Sequence, residues 1–259
     1  MAHSSSRQRF MAGLGAALGG LRLSTRSPEL RRTYLQLALV LLVTMTAIDA
    51  GGIWTILHLL PIDDDTSWWM AIALWVARGL GIVAVLLAAP LLSLLLVNLL
   101  LPFLGERVFL AAMRVLDPAR AEQLAGSPGL PLSASVAAAV LRLLMFLGLT
   151  LLAFLLSLIP VVGQVLGPVL QGYLSARGLA WELLDPYLDK LGLPFDQQRA
   201  FVDAHRSALV GFGAPLTLLM AVPLVGPLLF GLAQGAAAKL VVEVLEVTPT
   251  SAVGGGPQR

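Results

Sequence analysis

Ile159-Pro160-Val161-Val162-Gly163 returns later in the chain as Val222-Pro223-Leu224-Val225-Gly226, each copy midway along an apolar stretch. Proline removes a backbone N–H and crowds the preceding turn of a helix, and glycine tolerates a sharp reversal. Each copy therefore predicts two helical arms joined at a break. The arms are 135–158 and 166–184 around the first copy, and 208–221 and 228–245 around the second. The arm 208–221 holds about 14 residues, or ~21 Å, short of the ~30 Å of a hydrocarbon core. A helix that stops short is expected to turn back within the membrane. For the first copy, whose leading arm is long enough to span, re-entry and an ordinary spanning hairpin both remain open.

Working outward, the run 35–60 is interrupted by Asp49, Gly51-Gly52 and His58, and is long enough to span. It ends in the acidic turn 61–67. The run 68–104, with Arg78 and Pro90 inside it, is too long for one upright span and predicts a tilted or kinked helix. Residues 105–133 are polar, and Pro118, Pro128, Gly129 and Pro131 predict loop in their second half. The chain of 259 residues is 58% apolar and 12% charged. A soluble domain carries about 25% charge, so lipid is the expected solvent. One membrane domain over 1–247 and a disordered tail over 248–259 are expected.

Arg7 and Arg9 ahead of 10–21 resemble the start of a signal peptide, but Arg22, Arg26, Arg31 and Arg32 follow instead of a cleavage site. An uncleaved interfacial helix is the expectation. These arginines, against none in the 61–67 turn, predict cytoplasmic N- and C-termini.

Catalysis has little support. His3, His58 and His205 are isolated, cysteine is absent, and no HExxH, GxSxG or Walker pattern occurs. No enzyme activity, cofactor or metal is expected. A net charge of +2 makes no case for nucleic acid. Gly13-Leu14-Gly15-Ala16-Ala17-Leu18-Gly19 lacks the strand a nucleotide loop needs and reads as small-residue helix packing.

The arginines around Pro28 are more informative. Guanidinium groups suit tetrahedral oxyanions, a helix N-terminus adds backbone N–H groups, and proline fits the first turn. The same residues would also serve as a headgroup anchor, and composition leaves both open. Asp49, Arg78, Arg142, Arg177, Glu182 and Lys239 lie in apolar stretches, where ionisable groups either line a pathway or snorkel. Gln164, Gln171 and Gln234 lie near the breaks and are candidates to bond a permeant ion or freed backbone.

The segment 159–168, Ile159-Pro160-Val161-Val162-Gly163-Gln164-Val165-Leu166-Gly167-Pro168, resembles the IPGxGQxxxP segment of the CysZ-type sulfate permeases, which share the EI24 domain. The resemblance continues through Ser175-Ala176, Asp185-Pro186, Pro194-Phe195, Phe212-Gly213 and Val222-Pro223-Leu224. Pro28-Glu29-Leu30-Arg31-Arg32 resembles the family's PGLRR motif, and Pro102-Phe103 its PF element. The resemblance implies an all-α membrane protein with two long transmembrane helices and two partly penetrating hairpins, assembled as a homo-oligomer. It also implies sulfate uptake across the bacterial inner membrane for sulfur assimilation.

The implied anion site is Pro28, Glu29, Leu30, Arg31 and Arg32, with Arg22 assisting. Pro160, Gly163, Gln164, Gly167, Phe212, Gly213, Pro223 and Gly226 would shape the passage. Glu29 replaces the motif glycine and places a carboxylate beside the anion. The partners expected are membrane lipid, the oxyanion and further copies of the chain. The competing class is a membrane scaffold of the same fold without transport.

Overall fold

A computed structural model of the chain describes residues 5–246 apart from 27, 63–65, 101–102, 161 and 223–224. The expectations for Pro102, the Asp63–Asp65 turn, Pro223 and the tail fall outside these residues. The described chain is helical: α1 (Ser6–Arg26), α2 (Pro28–Leu59), α3 (Trp68–Leu100), α4 (Phe103–Leu116), α5 (Pro118–Gly126), α6 (Leu132–Ser157), α7 (Val162–Lys190), α8 (Phe195–Ala204), α9 (Arg206–Met220) and α10 (Val225–Leu240). One wider turn, Val241–Leu245, extends α10.

Three stretches are long and apolar enough to cross a membrane: Tyr34–Leu59, Trp68–Pro90 and Leu132–Ser157. Their side chains are almost wholly uncovered by protein, as Leu39, Trp54, Leu80, Leu144 and Leu151 illustrate. Such surfaces are stable only against lipid. α2 and α3 form a close antiparallel pair, with Gly52 against the Val85 side chain and Gly81 against Ile56. α3 runs helically through Pro90, and Ser93 Oγ donates to the Pro90 carbonyl at 2.9 Å.

The region 105–133 differs from the expected loop. Pro118 does not break structure there; it starts α5. Asp117 caps that helix, its carboxylate accepting from Arg120 N–H at 3.0 Å. Proline at a first helical position loses no hydrogen bond, since that N–H is unpaired anyway. Only 127–131 remains irregular, with Gly129 at φ +66°.

The conventional core lies where α4, α5, α8, the second half of α7 and the facing ends of α9 and α10 meet. Phe109, Met113, Trp181, Leu184, Leu188 and Leu209 are fully buried there. α1 lies across the open end of the α9–α10 hairpin. Its first half meets α9 at Gly13 and Ala208, and its second half meets α10 at Gly20 and Ala236. A Cβ at Gly13 would collide with the Ala208 carbonyl and one at Gly20 with Ala236. Gly13 and Gly20 thus serve close helix packing, Gly19 abuts the Lys239 side chain, and Gly15 faces open space.

Candidate functional site: an arginine-led helix start and two hairpins

α1 ends and α2 begins at Pro28, whose fixed φ suits a helix start. This junction is held in place by Ser24, which is buried and donates from Oγ to the Leu232 carbonyl of α10 at 3.1 Å. About two turns on, Tyr34 and Leu37 pack over Gly231. The first turn of α2 therefore stands beside α10, with Pro28, Arg31 and Arg32 exposed. The side chains of Glu29 and Leu30 lie outside what is described. Arg22, in the last turns of α1, is exposed and engaged with another group.

Arg120, Arg142 and Arg177 behave differently. Arg142 of α6 is buried and bridges Glu182 and Asp185 of α7, at 3.3 and 2.6 Å. Arg177 pairs with Asp203 at 2.7 Å. Both guanidinium groups lie by the Trp181 ring, at 6.0 and 5.5 Å from its centre, within cation–π reach. The indole N–H donates to Gln198 Oε1 at 3.1 Å, and Gln198 Nε2 donates to the Leu193 carbonyl.

Arg120 bonds Glu246 at 2.6 Å, and the Tyr187 hydroxyl donates to the same carboxylate at 3.0 Å. Burial, reinforced by Glu246, pushes the Tyr187 phenol up to about 12. Lys190 pairs with Glu106 at 3.1 Å, and Lys239 with Glu243. Arg78 donates to the Leu60 carbonyl at 2.8 Å, closing the end of α2. Of the six ionisable groups flagged in apolar stretches, Arg142, Arg177, Glu182 and Lys239 are thus in ion pairs and Arg78 is hydrogen-bonded. Asp49 differs: one of its carboxylate oxygens is buried without a hydrogen-bond partner.

Among the described residues, Arg31 and Arg32 make no ion pair. Two guanidinium groups at a helix start, without an ion pair among the described residues, can take a tetrahedral oxyanion through charge-assisted hydrogen bonds. The partner carboxylates Asp185, Asp203 and Glu246 carry no local sequence signal, because each lies on another helix or past its end.

At the two hairpins, Pro160 is exposed in the first turn and Gln164 is exposed one turn into α7. Gly163 and Gly226 do not use left-handed backbone; positive φ occurs among the described glycines only at Gly129 and Gly192. Both stand where two arms touch. A Cβ at Gly163 would strike the Leu156 carbonyl, and one at Gly226 the Met220 carbonyl. Gly167 likewise faces Ser157. Gly213 faces the Ala176 carbonyl, joining α9 to α7, and neighbouring Phe212 is fully buried. In the first copy Pro160 stands in the turn, and in both copies the glycine stands where the arms approach closely.

Lipid-facing helices joined to an ion-paired helical body define a multi-pass helical membrane protein. A family described as Sulfate transporter CysZ/Etoposide-induced protein 2.4 matches residues 16–230. The chain belongs to this EI24 family. None of the curated proteins matches it.

Proposed function

We propose that the chain is a channel-like permease for sulfate or a similar small tetrahedral oxyanion, acting in sulfur assimilation. The observation that carries this reading is the contrast among its arginines. Arg120, Arg142 and Arg177 are neutralised by carboxylates, whereas Arg31 and Arg32 stand exposed without an ion pair among the described residues. An oxyanion supplies the missing charge. Pro28, Glu29 and Leu30 complete the segment, with Arg22 close in sequence. Family membership supports the transport class.

In this reading α2 and α3 span the bacterial inner membrane, and the α6–α7 and α9–α10 hairpins enter it from the cytoplasmic side. α9, at 15 residues, reaches about 22 Å and turns back before crossing. Pro160, Gly163, Gln164 and Gly167 of the first hairpin, and Phe212, Gly213, Pro223 and Gly226 of the second, set the shape of the passage. Several copies of the chain assemble around it. Both termini are cytoplasmic in this reading, which the arginine-rich start supports.

Radiolabelled sulfate uptake into proteoliposomes tests the proposal, wild type against the Arg31→Ala/Arg32→Ala double variant. Wild-type flux above empty liposomes, lost in the variant, is the expected result. Equal, background-level flux in both would sink it.

A further inference from the structure

A second polar feature lies away from the α2 start. The N-terminal turn of α1, the first turn of α9 and Tyr173 of α7 enclose an open cavity of about 310 Å³, lined by Ser6, Phe10, Tyr173, Arg206, Ser207 and Val210. Ser6 Oγ and Ser207 Oγ, both in its lining, are 2.7 Å apart and clip the two helices together. Arg206 is exposed and makes no ion pair among the described residues. The nearby carboxylate of Asp203 is already shared by Arg177 and Arg199. Residue 205, which precedes α9, gives its first turn no side-chain cap.

The other wall is apolar, and its position on α7 identifies the depth. Val165, Leu166, Val169 and Tyr173 form an exposed strip, whereas the helix beyond carries the ion-paired Arg177 and Asp185 and the buried Trp181. Tyr173 thus stands where the lipid-facing surface gives way to the polar body, the level favoured by interfacial aromatics. A cation and hydroxyls above an apolar strip match a ligand with an anionic phosphate at one end and an acyl chain at the other.

We infer that this cavity is a binding site for an anionic phospholipid. Arg206 and the two serine hydroxyls take the phosphate, and an acyl chain lies along Tyr173 and Val169. Bound there, the lipid ties α1 to the α9–α10 hairpin. The inference needs the chain to sit in a bilayer but does not need it to transport sulfate.

The test is thermal unfolding of the purified full-length protein in neutral detergent, titrated separately with phosphatidylglycerol, phosphatidylcholine and inorganic phosphate. Phosphatidylglycerol is expected to raise the midpoint by about 5 °C, as a ligand that binds only the folded state must. Phosphatidylcholine and inorganic phosphate should leave it nearly unchanged. Arg206→Gln should unfold like wild type without lipid and lose most of the shift; Arg206→Lys should keep part of it. Val210→Trp, which fills the cavity without altering charge, should also lose the shift, and it decides the matter if Arg206→Gln folds poorly. An undiminished shift in the variants overturns the site. An equal shift with inorganic phosphate assigns it to a free oxyanion and overturns the lipid, and an equal shift with phosphatidylcholine removes the role of charge.

Discussion

Arg142 and Asp185 are joined by a 2.6 Å contact, Nη1 to Oδ1, although 43 residues separate them in the chain. This pair, with Glu182 one turn away, fastens α6 to the half of α7 that leaves the apolar surface. Arg142 is buried while both carboxylates keep partial exposure. The guanidinium is therefore the member whose charge most needs its partners.

Arg142→Met should destabilise the protein by about 2 kcal/mol. That is below the ~3–5 kcal/mol of a fully buried pair, because the stranded carboxylates retain water. Adding Asp185→Asn should recover part of the loss. Thermal unfolding of the two single variants and the double variant in detergent checks it, and strict additivity would show that the pair does not couple.

Gly213 offers a steric test. A side chain there collides with the Ala176 backbone, so Gly213→Ala should cost about 2–3 kcal/mol by forcing α9 off α7. Gly172 of the same packing region faces open space. Gly172→Ala should be neutral or stabilise by about 0.5–1 kcal/mol through helix propensity alone. Matching midpoints for the two variants would contradict the packing.

Tyr187 should titrate late. Burial, then the Glu246 carboxylate, raise its phenol from 10.0 to about 12, so the neutral form is the one the fold favours. Stability from this group is complete below pH 10 and is lost as pH rises through 12. The difference in phenolate absorbance between wild type and Tyr187→Phe should show a transition near 12. A difference centred near 10 would place the phenol in water.

Glu29 should weaken anion binding. Glu29→Gly removes a carboxylate two residues from Arg31 and should tighten sulfate binding roughly tenfold, about 1.4 kcal/mol. Equilibrium dialysis with labelled sulfate reads this directly. Unchanged binding would mean that the carboxylate faces away from the anion.

Much of the architecture is legible in the chain because hydropathy and helix breaking are local. The long apolar runs, the shortness of α9 and the repeated proline–glycine break all depend on residues within one or two turns of each other. The small-residue reading of 13–19 is right at Gly13 and Gly19, which lie against α9 and Lys239, while Gly15 faces open space. Pro118 misled, because proline breaks a helix interior yet begins a helix equally well, and the Asp117 cap decides between them.

The pairing of charges was not legible. Arg177 and Arg142 find Asp203 and Asp185 only after α7 has folded back on its neighbours. The Ser6–Ser207 clip, and the cavity it borders, likewise join opposite ends of the chain.

By itself, then, the sequence determined a helical membrane protein with two proline–glycine hairpins and an arginine-rich helix start, because each follows from short-range composition. Only the tertiary structure decided which arginines are ion-paired, as Arg142 and Arg177 are, and which stand exposed without an ion pair among the described residues, as Arg31 and Arg32 do. Charge neutralisation depends on a contact of a few ångströms between segments far apart in the chain. Nothing in the spacing of Arg31, Arg142 or Arg177 encodes that distance.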